Sequence, residues 1–132
     1  MFTGLVGGTG VLRTLSRTRT GFRLSVKAVR LARGIRRGDS VSVDGCCLSV
    51  LAAPENGILG FDVVPETWAR TTLRFRRPGD RLNLERCLRW GDPIGGHLVQ
   101  GHVEGVGTVL QKGPRLRVRL PKVLSKGIQQ KG

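Results

Sequence analysis

With 132 residues, 23 Lys and Arg against 9 Asp and Glu, and a formal charge of +14, the chain has room for one ordinary domain and a strong cationic excess. No apolar run is long enough to cross a bilayer, and the N-terminus lacks the charged-then-apolar layout of a secretory signal, so a soluble, cytoplasmic protein without membrane partners is expected. Cys46, Cys47 and Cys87 form no CxxC pair and have only His97 and His102 as other soft ligands, which argues against structural zinc, a metal site or a disulfide framework; Cys46 and Cys87 read as small buried apolar side chains.

In chain order, the first feature is GLVGGTG at residues 4–10, whose glycines let a strand coil sharply or leave room for a ligand against bare backbone. A GxGxxG nucleotide loop would need a following helix in a βαβ setting, and neither is visible. From Arg13 to Arg37 there are nine Lys or Arg and no acid. These cations alternate with Thr, Ser, Leu and Val as the outward partners of strand residues, the pattern of a solvated face. With four Phe, two Trp and no Tyr to stack bases, nucleic-acid binding is the weaker reading.

Within that stretch, FRLSVKAV from Phe22 puts Phe22, Leu24, Val26 and Ala28 on one face and Arg23, Ser25 and Lys27 on the other, the period of a half-buried strand. Residues 29–34 have length for a helical turn only. SVSVDGCCLSV from Ser40 predicts a hairpin, with Val41 and Val43 inward and Asp44-Gly45 supplying the turn. GILGFDVV from Gly57 and DRLNLERCL from Asp80 are two further alternating runs, with a helical turn expected at 66–71 between them.

The sequence then begins again. In GHVEGVGTVL, residues Gly101, Val103, Gly105 and Gly107 repeat Gly4, Val6, Gly8 and Gly10 at a displacement of 97. PRLRVRLP from Pro114 supplies the second copy's next strand, and LSKGI from Leu124 echoes LARGI from Leu31. Short strands punctuated by Gly, Pro, Asp and Asn predict an all-β fold. The expected architecture is a small closed barrel of five or six strands over residues 1–96, followed by an incomplete second copy over 97–132 that cannot close its own core.

Five motifs carry a resemblance: MFTGLV at the N-terminus, GDSVSVDGCCLSV from Gly38, FDVVPETWARTTL from Phe61, GDRLNLER from Gly79 and GGHLVQGHVEGVG from Gly95. Together, in this order and spacing, they resemble riboflavin synthases along the whole chain, with the C-terminal part of the second barrel truncated. The resemblance implies tandem six-stranded Greek-key, lumazine-binding barrels. It also implies a cofactor-free transferase reaction, in which two molecules of 6,7-dimethyl-8-ribityllumazine exchange a four-carbon unit to give riboflavin and 5-amino-6-ribitylamino-pyrimidinedione. A homo-oligomer is implied too: the family trimer, which stacks two substrates between barrels of different subunits, or a dimer for a truncated chain.

Carried over by resemblance, Gly4, Leu5 and Val6, echoed by Gly101 and Val103, let the flat heterocycle approach the backbone. Cys47, Leu48 and Ser49, the last a Thr in the family, would bind the pyrimidine edge through main-chain groups. Asp62, Val63, Val64, Pro65, Glu66 and Thr67 would hold the ribityl chain, and Ser40 and His102 would serve the addition and proton-transfer steps. A hydroxyl can stabilise an added nucleophile and an imidazole can move protons near neutral pH. Without the resemblance, Ser40 reads as a turn residue and His102 as a structural histidine among glycines. The alternative is a non-catalytic lumazine or flavin binder, like the fluorescent lumazine proteins, and a chain with only about a third of its second barrel favours it.

Overall fold

The alternating runs become strands in the computed structural model, which describes residues 1–128. They are β1 (Gly8–Thr18), β2 (Gly21–Lys27), β3 (Ser40–Val43), β4 (Cys46–Ser49), β5 (Ile58–Val63) and β6 (Arg81–Arg86), followed by β7 (Thr108–Gln111) and β8 (Arg117–Arg119). A short helix, α1 (Pro65–Arg70), and 3₁₀ turns at Thr72–Phe75 and Lys122–Gly127 complete the elements. The last four positions of the region expected to form the second copy lie outside the described residues.

Six antiparallel strands form one sheet in the order β4-β3-β6-β1-β2-β5. Its two outer strands meet where Val50 bridges Phe61 and the Leu51 N–H donates to the Gly60 carbonyl at 3.0 Å, so the sheet curls back on itself as a barrel. The interior is filled from every strand. Leu12, Leu24, Val26, Val41, Val43, Leu59, Phe61 and Leu82 have no exposed surface, and each contributes about 1.5–3 kcal/mol of burial.

Turn chemistry sets the connections. Asp44 and Gly45, at φ 50 and 85, make the two-residue hairpin turn that matches strand twist. The Asp44 carboxylate then accepts from the Asn83 N–H and from Arg76 Nε, each at 2.8 Å, fastening the hairpin to β6. A second device recurs three times. In RRGD (36–39), RPGD (77–80) and RWGD (89–92), the Asp carboxylate accepts the Arg backbone N–H at 2.8–2.9 Å, while the Asp N–H returns to the Arg carbonyl. The third residue of each turn is a glycine at positive φ, as a type II turn demands. These Asp residues serve the backbone rather than neighbouring cations.

The two expected helical turns differ in outcome. At 65–70 the chain forms α1, with Pro65 at its first position, held to the barrel by Trp68 stacking on Phe22 at 4.0 Å between centroids. At 29–34 the Ala32 N–H reaches the Ala28 carbonyl, but Gly34 at φ 72 ends the run as a series of hydrogen-bonded turns.

The start of the second copy reproduces the first in detail. β7 and β8 pair as β1 and β2 do, and the irregularity between Leu12 and Thr14 recurs between Val109 and Gln111, at the same displacement of 97. Gly10 lies against Val26 and the Lys27 carbonyl, and Gly107 against Val118 and the Arg119 carbonyl. Unlike β1, every residue of β7 and β8 is exposed.

Candidate functional site

Equivalent positions of the two copies meet. Phe2 and Val99 exchange both backbone bonds, Phe2 N–H to Val99 O at 2.8 Å and Val99 N–H to Phe2 O at 2.9 Å. Such a reciprocal contact between positions 97 apart is what a two-fold relation between repeats produces.

Two residues on, the symmetry is used once. Gly101 is buried, and its carbonyl accepts the Cys47 N–H at 2.9 Å on the free edge of β4. Gly101 sits at φ 79, and a Cβ there would lie 3.0 Å from the Cys47 Cβ and 3.2 Å from a Phe2 ring carbon. This close approach requires glycine. Val103 then packs against the barrel core. Gly4 repeats the conformation at φ 80 but remains exposed, as do Leu5 and Val6.

The docked segment closes a cleft of about 280 Å³ lined by Cys46, Cys47, Glu66, Thr67, Arg70, Gly101, His102 and Val103. Each wall has its own origin. β4 follows from the Asp44-Gly45 turn, α1 from Pro65 and the Trp68 stack, and residues 101–103 from the repeat. Cys46 turns inward, and burial, reinforced by neighbouring Cys47, pushes its thiol up to about 11, leaving an inert apolar group. Among the described residues no group of His, Cys, Asp and Glu is arranged to hold a metal ion.

The sequence-derived site residues therefore divide. Cys47, Glu66, Thr67, Gly101, His102 and Val103 converge on the cleft. Leu48 and Val63 are buried in the core, Ser49, Val64 and Pro65 are exposed beside these walls, and Ser40 stands opposite Ser49 at the start of β3. Asp62 points outward from β5 and is bound by Arg23 at 2.7 Å, which holds its carboxyl below the usual range and raises the Arg23 guanidinium. Gly4 and Val6 line a separate recess of about 100 Å³. Cys46 and Arg70 are cleft residues that the sequence reading missed; the Glu66 to Arg70 spacing of four, which places both on one helix face, was the available signal.

A larger hollow of about 970 Å³ lies along residues 3–9 and 27–31 and takes Leu5 alone of the expected residues. Its polar groups are largely engaged: Glu85 accepts from the Thr3 N–H and hydroxyl, and Arg86 and Arg89 donate to the Arg33 and Gly34 carbonyls. The smaller cleft, with both copies contributing and the side chains of Glu66, Thr67, Arg70 and His102 converging, is the better-formed site.

The chain is similar to known proteins in both sequence and fold. The family model of the lumazine binding domain matches residues 3–87. Riboflavin synthase of Chlamydia pneumoniae is 41% identical over 134 residues, covering all of this chain and 66% of that protein. The enzyme of Mycobacterium tuberculosis strain H37Rv is 34% identical over 137 residues, covering all of this chain and 68% of its own length. The chain thus spans about two thirds of the length of these relatives. Among solved structures, LumP complexed with riboflavin superposes with a TM-score of 0.82 at 25% identity, covering 97% of this chain and 72% of that one. LumP complexed with 6,7-dimethyl-8-(1'-D-ribityl) lumazine superposes with a TM-score of 0.77 at 27% identity, covering 92% and 70%.

Proposed function

This chain belongs to the riboflavin synthase family of lumazine-binding domain proteins, and on that premise we propose that its cleft binds 6,7-dimethyl-8-ribityllumazine or the flavin made from it. The carrying observation is the docking of residues 101–103 onto β4, which lays two stretches of backbone and the side chains of Glu66 and Thr67 around one hollow. A pyrimidine edge presents alternating carbonyl and N–H groups. Backbone beside Cys47 and Gly101 offers the same alternation, and the Glu66 carboxylate and Thr67 hydroxyl can bond the polyol chain.

The reaction of the parent family, dismutation of two lumazines with transfer of a four-carbon unit, needs a proton taken from one ring's methyl group and a nucleophile added to the other ring. His102 in the cleft is the group suited to move the proton, with Ser40 as the proposed partner in addition. Much of the rate would come from holding two rings face to face, which makes a bimolecular encounter intramolecular. That arrangement requires a second site, and residues 4–6, the repeat of 101–103, are proposed as one wall of it. A homo-oligomer would bring such walls together, with residues 1–96 as the ligand-binding barrel and 97–132 as the start of the second.

A second reading, binding without turnover, is favoured by two observations: at about 280 Å³ the cleft suits one heterocycle, and Ser40 is not among its lining residues. Titration of the purified chain with 6,7-dimethyl-8-ribityllumazine, followed by fluorescence with riboflavin measured in the same samples over hours, separates the two. Binding with riboflavin formed supports the enzyme; binding alone supports the second reading; no binding overturns both.

A further inference from the structure

Arg70 lines the cleft beside the residues proposed to hold the ribityl chain. It stands one turn beyond Glu66 on α1, with Nη2 3.0 Å from the Glu66 carboxylate, and both side chains are more than half exposed at the cleft mouth. A guanidinium has five donors in a fixed fork, and this ion pair engages only part of them. His102 lies in the same cleft, whose one carboxylate, Glu66, already faces Arg70. A ligand lying along α1 past Glu66 and Thr67 would therefore end beside a cation with spare donors, in a molecule whose net charge of +14 draws anions toward it.

Resting on the lumazine and flavin reading above, we infer that Arg70 determines specificity at the far end of the ribityl chain, favouring ligands that carry a terminal phosphomonoester over those ending in a hydroxyl. A phosphate offers the planar fork two acceptor oxygens and carries between one and two negative charges at neutral pH, whereas a hydroxyl offers one neutral acceptor. Glu66 keeps its bond to the polyol and orients the guanidinium toward the mouth.

The test is a pair of titrations of the intact chain at low salt, with riboflavin and with riboflavin 5'-phosphate, in the wild type, Arg70→Met, Arg70→Lys and Arg37→Gln, the last an exposed arginine outside the cleft. The wild type binds the phosphorylated flavin at least about fivefold more tightly, as expected of a charge-assisted pair at a partly exposed site. Arg70→Met removes that preference and changes riboflavin affinity by less than about threefold, the size of a lost exposed contact. Arg70→Lys keeps part of the preference, and Arg37→Gln keeps all of it. Riboflavin bound without a phosphate preference, equal weakening of both flavins in Arg70→Met, or an equal effect of Arg37→Gln overturns the inference and leaves the ligand-binding reading standing. Failure of the wild type to bind either flavin overturns that reading instead.

Discussion

Gly4 and Gly101 are a matched pair on which the site can be tested residue by residue. Both have φ near 80, so alanine at either costs about 1–2 kcal/mol of backbone strain. Only at Gly101 would the added Cβ also press on Cys47 and Phe2; at Gly4 the nearest atom is Val99 Cγ2 at 3.7 Å. Gly101→Ala should therefore weaken lumazine or riboflavin binding by about tenfold or more, whereas Gly4→Ala should lower the melting temperature slightly with affinity near wild type; each additional kcal/mol is worth about a factor of five. Equal losses in the two variants would mean that residues 101–103 do not form the ligand wall. The thiols give a second contrast. Cys46, titrating near 11 because it is buried, should resist iodoacetamide, whereas half-buried Cys47 should react and be protected by ligand. The Cys46 pKa is raised on folding from about 8.5, so its contribution to stability is complete below that pH and is lost as pH rises toward 11. The urea midpoint should fall more between pH 8 and 10 in the wild type than in Cys46→Ala. At this scale the sequence was legible where backbone conformation demanded a residue type, as at Asp44, Gly45 and Gly101. It was illegible at Asp62, whose carboxylate reads equally as a polyol ligand or as Arg23's partner until strand register puts β2 beside β5.

Elements follow from alternation and turns, and their attachment follows from a few polar knots. Period two gave β2 through β6 directly, because each strand has one face in the barrel. Residues 29–34 were harder, since local composition allows a helix and only Gly34 and the return to Ile35 in the core prevent it. The three RxGD turns carry their signature openly: an Asp three residues after an Arg, with Gly between. The hairpin knot at Asp44 is the most consequential. Its side chain is 6% exposed, accepts the Asn83 N–H and pairs with Arg76, so Asp44→Ala should cost about 3 kcal/mol by stranding those donors. Chemical denaturation measures this, and a loss below about 1 kcal/mol would show that the hairpin turn, not the carboxylate, holds β3 and β4 to β6. Trp68→Ala tests α1 in the same way. Without the stack on Phe22 the helix loses its main apolar anchor, and ligand affinity should fall together with stability, since Glu66, Thr67 and Arg70 all ride on α1.

For the whole molecule, the six-stranded barrel holds the one large core, and the repeat segment docks on its edge. Apart from Phe2, every fully buried large side chain lies between residues 12 and 84, while β7 and β8 are exposed along their length. Stability should therefore be layered, with the second-copy segment opening at lower free energy than the barrel. The Cys47 amide reports on the seam, because its acceptor, the Gly101 carbonyl, belongs to the repeat although Cys47 itself belongs to β4. Hydrogen exchange at neutral pH should show three tiers: fast amides in β7 and β8, an intermediate Cys47 amide, and slow amides in β2, which is paired on both sides by β1 and β5, such as those of Leu24 and Ser25. A ligand seated in the cleft touches both sides of the seam, so at concentrations that saturate binding it should slow the Cys47 amide along with the slowest tier, whose opening destroys the site, and leave the fast amides of β7 and β8 unchanged. If Cys47 exchanges as slowly as the barrel without ligand, the repeat is an integral part of the fold and the cleft is preformed. If it exchanges as fast as β7 and responds to ligand, binding itself closes the site by drawing residues 101–103 onto the edge of β4.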